Sequence, residues 1–152
     1  MSRQLSTYSA KDLNFAFSHP YIGVIQASGV SERGIDQVLV RMSTTQTTIQ
    51  IAADGATVPS AIPGDNGEIE IQVWQTSEIH RELLAWYNAC KTARDSGDVS
   101  EWASGSMLVE NIIDGSLHRA TGVAPQKVPD KTYQKEAQRV SWVLMACNIS
   151  NE

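Results

Sequence analysis

Polar and apolar residues alternate without a break from Glu68 to Trp74, and the period then changes at Thr76-Ser77. Ile69, Ile71 and Val73 share one side of the extended run; Glu68, Glu70 and Gln72 share the other, with Trp74 closing that row. Beyond Ser77, the residues Ile79, Leu83, Trp86, Tyr87 and Cys90 recur at helical spacing and form one stripe. The pattern predicts a strand running into a helix over about 77–94. Ser77 is the expected N-cap, since its hydroxyl can accept from a free first-turn amide, and Glu78 suits the positive end of the helix dipole. Such a helix is roughly 27 Å long. Each large side chain on its stripe gains roughly 1.5–3 kcal/mol on full burial. One strand and one helix cannot bury each other alone, so further strands must supply the second wall.

The rest of the chain reads as mostly extended. Leu13, Phe15 and Phe17 alternate within residues 7–18; His19-Pro20 interrupts them, and a second run spans Tyr21 to Ala27. The segment 29–34, GVSERG, is a polar turn. Ile35 to Ser43 is a strand with Val38, Val40 and Met42 opposed to Gln37, Leu39 and Arg41. Residues 44–66 are expected to form a long extended loop that adds little to a core. Asp54-Gly55 is a tight-turn signal within it, and Pro59 and Pro63 argue against ladder pairing. Long excursions in compact domains are commonly functional or unstructured. After the helix, a polar linker holds Trp102. Met107 to Ile113 and Ser116 to Thr121 form a hairpin about Asp114-Gly115, and residues 122–136 read as an exposed loop. Arg139 to Ile149 is a nearly continuous apolar strand, expected to be buried on both sides, or on one side against a neighbouring subunit. The fold class is mainly β (α+β): a β-sandwich or small barrel of about six or seven strands with one flanking helix, in a single domain.

Charge narrows the partners. The 152-residue chain is 41% hydrophobic and 19% charged, with formal net charge −5 and an isoelectric point of about 5.1. It lacks the clustered excess of Lys and Arg that a sequence-independent grip on duplex DNA requires. The N-terminus has no apolar signal core and no long apolar run follows, which points to a protein made in a cytosol. Cys90 and Cys147 sit in apolar patterns and are expected as buried free thiols.

No catalytic signature is present: there is no G-x-S-x-G elbow, no P-loop, no G-x-G-x-x-G and no H-E-x-x-H. His19, His80 and His118 are far apart in sequence. His80 beside Glu78 is a formal candidate for a general base, but a histidine bonding locally at the strand–helix junction is the simpler reading. Glu68 and Glu70 share a strand face with Gln72, which suits a solvated acidic surface better than an acid/base pair with one raised pKa. The expectation is a protein that is not an enzyme and that uses no cofactor or metal.

Several short motifs, taken in order, carry a resemblance. They are Tyr8-Ser9 with Lys11-Asp12, Ser18-His19-Pro20, Ala52-Ala53-Asp54-Gly55 and Gly64-Asp65-Asn66-Gly67. Gln75-Thr76-Ser77 with His80, Leu83-Leu84 with Trp86-Tyr87-Asn88, and Tyr133 with Ala137 before Trp142 complete the set. Over nearly the whole chain the sequence resembles the tail tube proteins of contractile-tailed bacteriophages, which share an architecture with the type VI secretion tube protein. The resemblance implies a virion protein, made in the host cytoplasm, that self-assembles into stacked hexameric rings. The implied partners are other copies of the chain, the tail sheath, the tape measure protein, the baseplate and the tail terminator, with DNA passing through the lumen unbound during ejection.

Within that frame Glu68, Glu70 and Gln72 are the lumen-facing candidates, because carboxylates on a pore wall repel phosphate over about 8 Å at physiological salt. Residues 44–66, with Thr48, Gln50, Asp54 and Val58 as candidates, are expected to stack one ring on the next, and residues 1–9 to act as an N-terminal arm. Two alternatives stand beside this reading: a type VI-like secretion tube component, and a small cytosolic ligand-binding β-domain with a concave polar pocket.

Overall fold

The computed structural model describes residues 13–28, 35–111 and 115–152. These described residues form nine strands and one helix in chain order. Strands β1 (Leu13–His19), β2 (Gly23–Ser28) and β3 (Ile35–Met42) precede β4 (Thr47–Ile51), β5 (Thr57–Ala61) and β6 (Gly67–Trp74). Helix α1 (Glu78–Asp95) is followed by β7 (Gly105–Asn111), β8 (Leu117–Pro125) and β9 (Arg139–Asn151). Seven strands form one sheet in the order β2-β1-β7-β8-β9-β6-β3, while β4 and β5 pair only with each other. The large sheet curls into a half-barrel around the single helix, which gives the mainly β, one-helix architecture expected from the alternation pattern.

The core lies between the sheet and α1. Phe15 and Phe17 of β1, Ile69, Ile71 and Val73 of β6, and Val140, Trp142 and Leu144 of β9 turn inward and are buried. The helix answers with Ile79, His80, Leu83, Trp86 and Cys90. Trp86 meets Phe17 edge-on at 4.9 Å between ring centroids, an arrangement that the ring quadrupoles favour. Ser77 caps the helix as expected, its hydroxyl accepting from the His80 N–H at 3.2 Å. The stripe is broader than the periodicity implied, because His80 joins it and Tyr87 lies at its half-buried edge.

Four expectations need correction. The excursion at 44–66 is an ordered hairpin rather than a loop. Ala52 N–H donates to Ala56 O, and Ile62 N–H to Gln46 O. That phase puts Pro59 opposite Ile49 in a pair that exchanges no hydrogen bonds, so its missing N–H costs the ladder nothing.

Residues 122–125 belong to β8 rather than to an exposed loop, and Val123 and Pro125 are buried. Gly122 permits this: its φ is +67, and a Cβ there would lie 2.7 Å from the Cys147 Cβ. Of the two expectations for β9, burial on both sides is the one corrected: one side is buried within the subunit and Met145 is exposed on the other. Cys147 is likewise exposed, while Cys90 is buried. An apolar sequence around a thiol did not fix which side of β9 it took. The N-terminal arm at 1–9, the segment at 29–34 and the turn residue Asp114 lie outside the described residues.

Candidate assembly surfaces

Two of the three histidines, His80 and His19, are buried and structural. Trp142 Nε1–H donates to His80 Nδ1 at 3.0 Å in the core, a partner 62 residues away rather than a local one. Tyr21 N–H donates to His19 Nδ1 at 3.2 Å, and His19 Nε2 lies 3.3 Å from Trp102 O. An N–H can donate only to a bare ring nitrogen, so in both residues the Nδ1 is unprotonated and the ring is neutral. Burial holds both histidines below the usual imidazole range; for His80 the Lys131 charge adds to it, while for His19 the bond to Trp102 O and the Glu101 charge oppose it. Burial also pushes the Cys90 thiol up to about 11, so it carries no thiolate at neutral pH. Among the described residues no three His, Cys, Asp or Glu side chains group to hold a metal ion.

Glu68, Glu70 and Gln72 project from the side of β6 opposite Ile69, Ile71 and Val73, and are half-buried. They are less bare than the sequence implied. β3 pairs with β6 so that Arg41 stands opposite Glu68, and Leu39 opposite Glu70. Arg41 Nη1 donates to Glu68 at 3.0 Å and its Nη2 donates to Glu70 at 3.3 Å. One guanidinium therefore bridges both carboxylates, leaving one net negative charge on the trio. At the far end of the same face, Arg139 stacks over Trp74 at 5.1 Å and pairs with Asp36 at 3.2 Å. The pairing of β3 with β6 was not assigned from the sequence, so Arg41 did not enter the reading of the acidic row.

The hairpin is the second surface. Every residue from Thr47 to Ala61 is exposed. Thr48, Gln50 and Val58 lie on one side, and Asp54 at the tip accepts the Ala56 N–H at 2.9 Å. Ile49 and Ile51 lie on the other side at 64% and 76% exposure, and no sequence signal set them apart from the polar residues beside them. Its base is fixed: Gln46 Nε2 donates to Gly64 O at 2.9 Å and to Asp65 Oδ1 at 3.0 Å, and Ser43 N–H donates to Asn66 O at 3.0 Å. Sheet, helix and a latched arm with apolar side chains in solvent make a body built for contacts.

Residues 5–152 match the family of the bacteriophage PhiTE tail tube protein. The chain belongs to that phage tail tube family. It is a structural component of a phage tail and not an enzyme. Two solved structures share the fold. One is the terminating cap of the anti-feeding prophage tube, at a TM-score of 0.56 and 10% identity, covering 100% of this chain and 94% of the other. The second is the sheath/tube terminator of the extracellular contractile injection system PVC in its extended state. It matches at a TM-score of 0.56 and 9% identity, covering 99% and 98%. No curated protein matches the tail tube chain in sequence.

Proposed function

We propose that this tail tube protein assembles into hexameric rings that stack into a hollow conduit for DNA ejection. The observation that carries the reading is the family match over residues 5–152. Among the described residues the half-barrel sheet ends at β2 and β3, which suits it: joining edges between neighbouring subunits satisfies strand groups that otherwise invite irregular aggregation. The hairpin, with Thr48, Gln50, Asp54 and Val58 among its contacts, stacks each ring on the next. Residues 1–9 act as an N-terminal arm.

In the same reading the row Glu68, Glu70 and Gln72 faces the lumen. With Arg41 bridging the carboxylates, that wall is mildly acidic, so DNA and the tape measure protein slide past it without being held. The protein is made in the host cytoplasm and meets the sheath, the baseplate and the tail terminator as the tail is built. The two cap and terminator neighbours favour one second reading, a ring that closes a tube instead of building its length.

Sedimentation velocity over a wide concentration range tests the ring. The expected species has roughly six times the 16.6 kDa of the subunit, and a chain that stays monomeric throughout contradicts the proposal. Polymers longer than one ring separate the tube from the terminator.

A further inference from the structure

The hairpin has two sides, and they differ in what they offer a partner. Alternation puts Thr47, Ile49 and Ile51 beside Thr57, Pro59 and Ala61 on one side. Asp54, at the tip, is the only charged residue between Thr47 and Ala61. An isolated two-stranded hairpin is marginal in water, and this one presents two isoleucines that its own chain does not cover. Its complement is an apolar trough with an unpaired cation at one end.

The face of β2, β1, β7 and β8 that points away from the helix carries such a trough. It is about 370 Å³, lined on this face by the apolar side chains of Ala16, Val24 and Leu108 with Ser18, Ser106 and Thr121 between them, and Arg119 stands beside Leu108. Val24 is 62% exposed. Arg119 is exposed and forms no ion pair with the described residues. The groove at Trp102 is a weaker match, because its cation, Arg94, already pairs with Asp95 at 3.3 Å and covers the Trp102 ring at 5.8 Å.

Dimensions agree as well. Val24 lies three strands from Arg119 and two residues out of its cross-strand row, since the row through Val24 ends on Thr121, which makes the separation roughly 16 Å. From Ile49 to Asp54 is five residues, roughly 16 Å at strand rise. A hairpin laid across the strands thus places Ile49 toward Val24 and Asp54 at Arg119.

We infer that the β4–β5 hairpin docks through Ile49 and Ile51 into the trough on the β2-β1-β7-β8 face of a second copy, with Asp54 paired to Arg119. This rests on the stacking role proposed above and specifies both surfaces. Arm and trough are different parts of one chain, so the contact is head-to-tail and propagates, as a stacked tube needs.

Charge reversal and cross-linking test it together. Asp54→Lys and Arg119→Glu each raise the protein concentration at which tubes appear by about tenfold. The double variant returns it toward wild type, with circular dichroism showing that all three remain folded. Separately, in a Cys147→Ser background, a chain with Ile51→Cys is mixed with one carrying Ser106→Cys. Oxidation joins them, whereas a partner carrying Val99→Cys stays unjoined. Wild-type tubes combined with unaffected Arg119→Glu and no Ile51–Ser106 cross-link overturn the docking and leave the tube standing. Cross-linking without tubes supports the docking and counts against the tube; neither cross-link nor tube overturns both.

Discussion

The Trp142 indole N–H points at the bare Nδ1 of His80, 3.0 Å away, and joins the helix to the interior strand β9 inside the core. Removing only the acceptor leaves a buried donor unpaired, which costs about 1–3 kcal/mol. His80→Leu is therefore expected to lower the urea midpoint without altering the fold. The pair His80→Leu/Trp142→Phe loses less than the two single losses added, because the orphaned donor is gone. A fully additive double variant contradicts the bond's role.

Acid acts on the same histidine and on His19. Both are held below their ordinary value of 6.5. In the unfolded chain they titrate near that value, so below it the unfolded state binds more protons than the folded one. Their contribution to stability is fully present above about 6.5 and is lost as pH falls toward their folded values. Urea midpoints at pH about 7.5 and about 5 check this: stability falls on acidification, and a flat profile contradicts it.

Gly67 opens β6 where no side chain fits. A Cβ there meets the Arg41 carbonyl oxygen, a backbone atom that cannot swing aside, and lies 2.6 Å from the Ile149 Cδ1. Gly67→Ala is expected to cost on the order of 1–3 kcal/mol through forced backbone shifts, read as a lowered melting temperature. Gly55, with open space around its missing Cβ but a φ of +89, is strained by substitution through its backbone alone.

The arm is separable from the body. Gln46 and Ile62 are already hydrogen-bonded across its base, so replacing residues 47–61 with a short glycine link bridges a gap the fold has closed. The variant is expected to keep the cooperative unfolding of the body while losing polymerisation. Long tubes from this deletion contradict the stacking role.

Charge on the sheet face offers a further test. Glu68→Lys with Glu70→Lys places three cations together at Arg41, so that double variant confounds lumen charge with local repulsion. Glu68→Gln with Glu70→Gln removes the carboxylates while keeping shape. These partly exposed pairs are worth about 0–1 kcal/mol, so folding changes little. Assembled particles carrying the double Gln variant are expected to eject DNA more slowly; unchanged ejection contradicts the lumen assignment.

What was legible in the sequence was local. The alternation through Ile69, Ile71 and Val73, the switch at Ser77 and the stripe through Trp86 fix the strand, the cap and the helix, since each depends on period and neighbours alone. Fold class and family motifs followed. What depends on partners far along the chain did not show. Period left His80 off the buried stripe and gave no sign that Trp142 waits for it in the core. Arg41 neutralises Glu68 and Glu70 only because β3 pairs with β6 in that register. Pro59 looked like a strand breaker because its effect depends on which hydrogen-bonding phase it occupies. Gly122 looked like the end of a strand when it is the place where β8 bends past Cys147.

The most direct measurement of the central claim is negative-stain electron microscopy of the purified protein at rising concentrations. The account predicts rings of constant diameter and, above a threshold, hollow tubes built from them. Featureless monomers or irregular aggregates at every concentration contradict it.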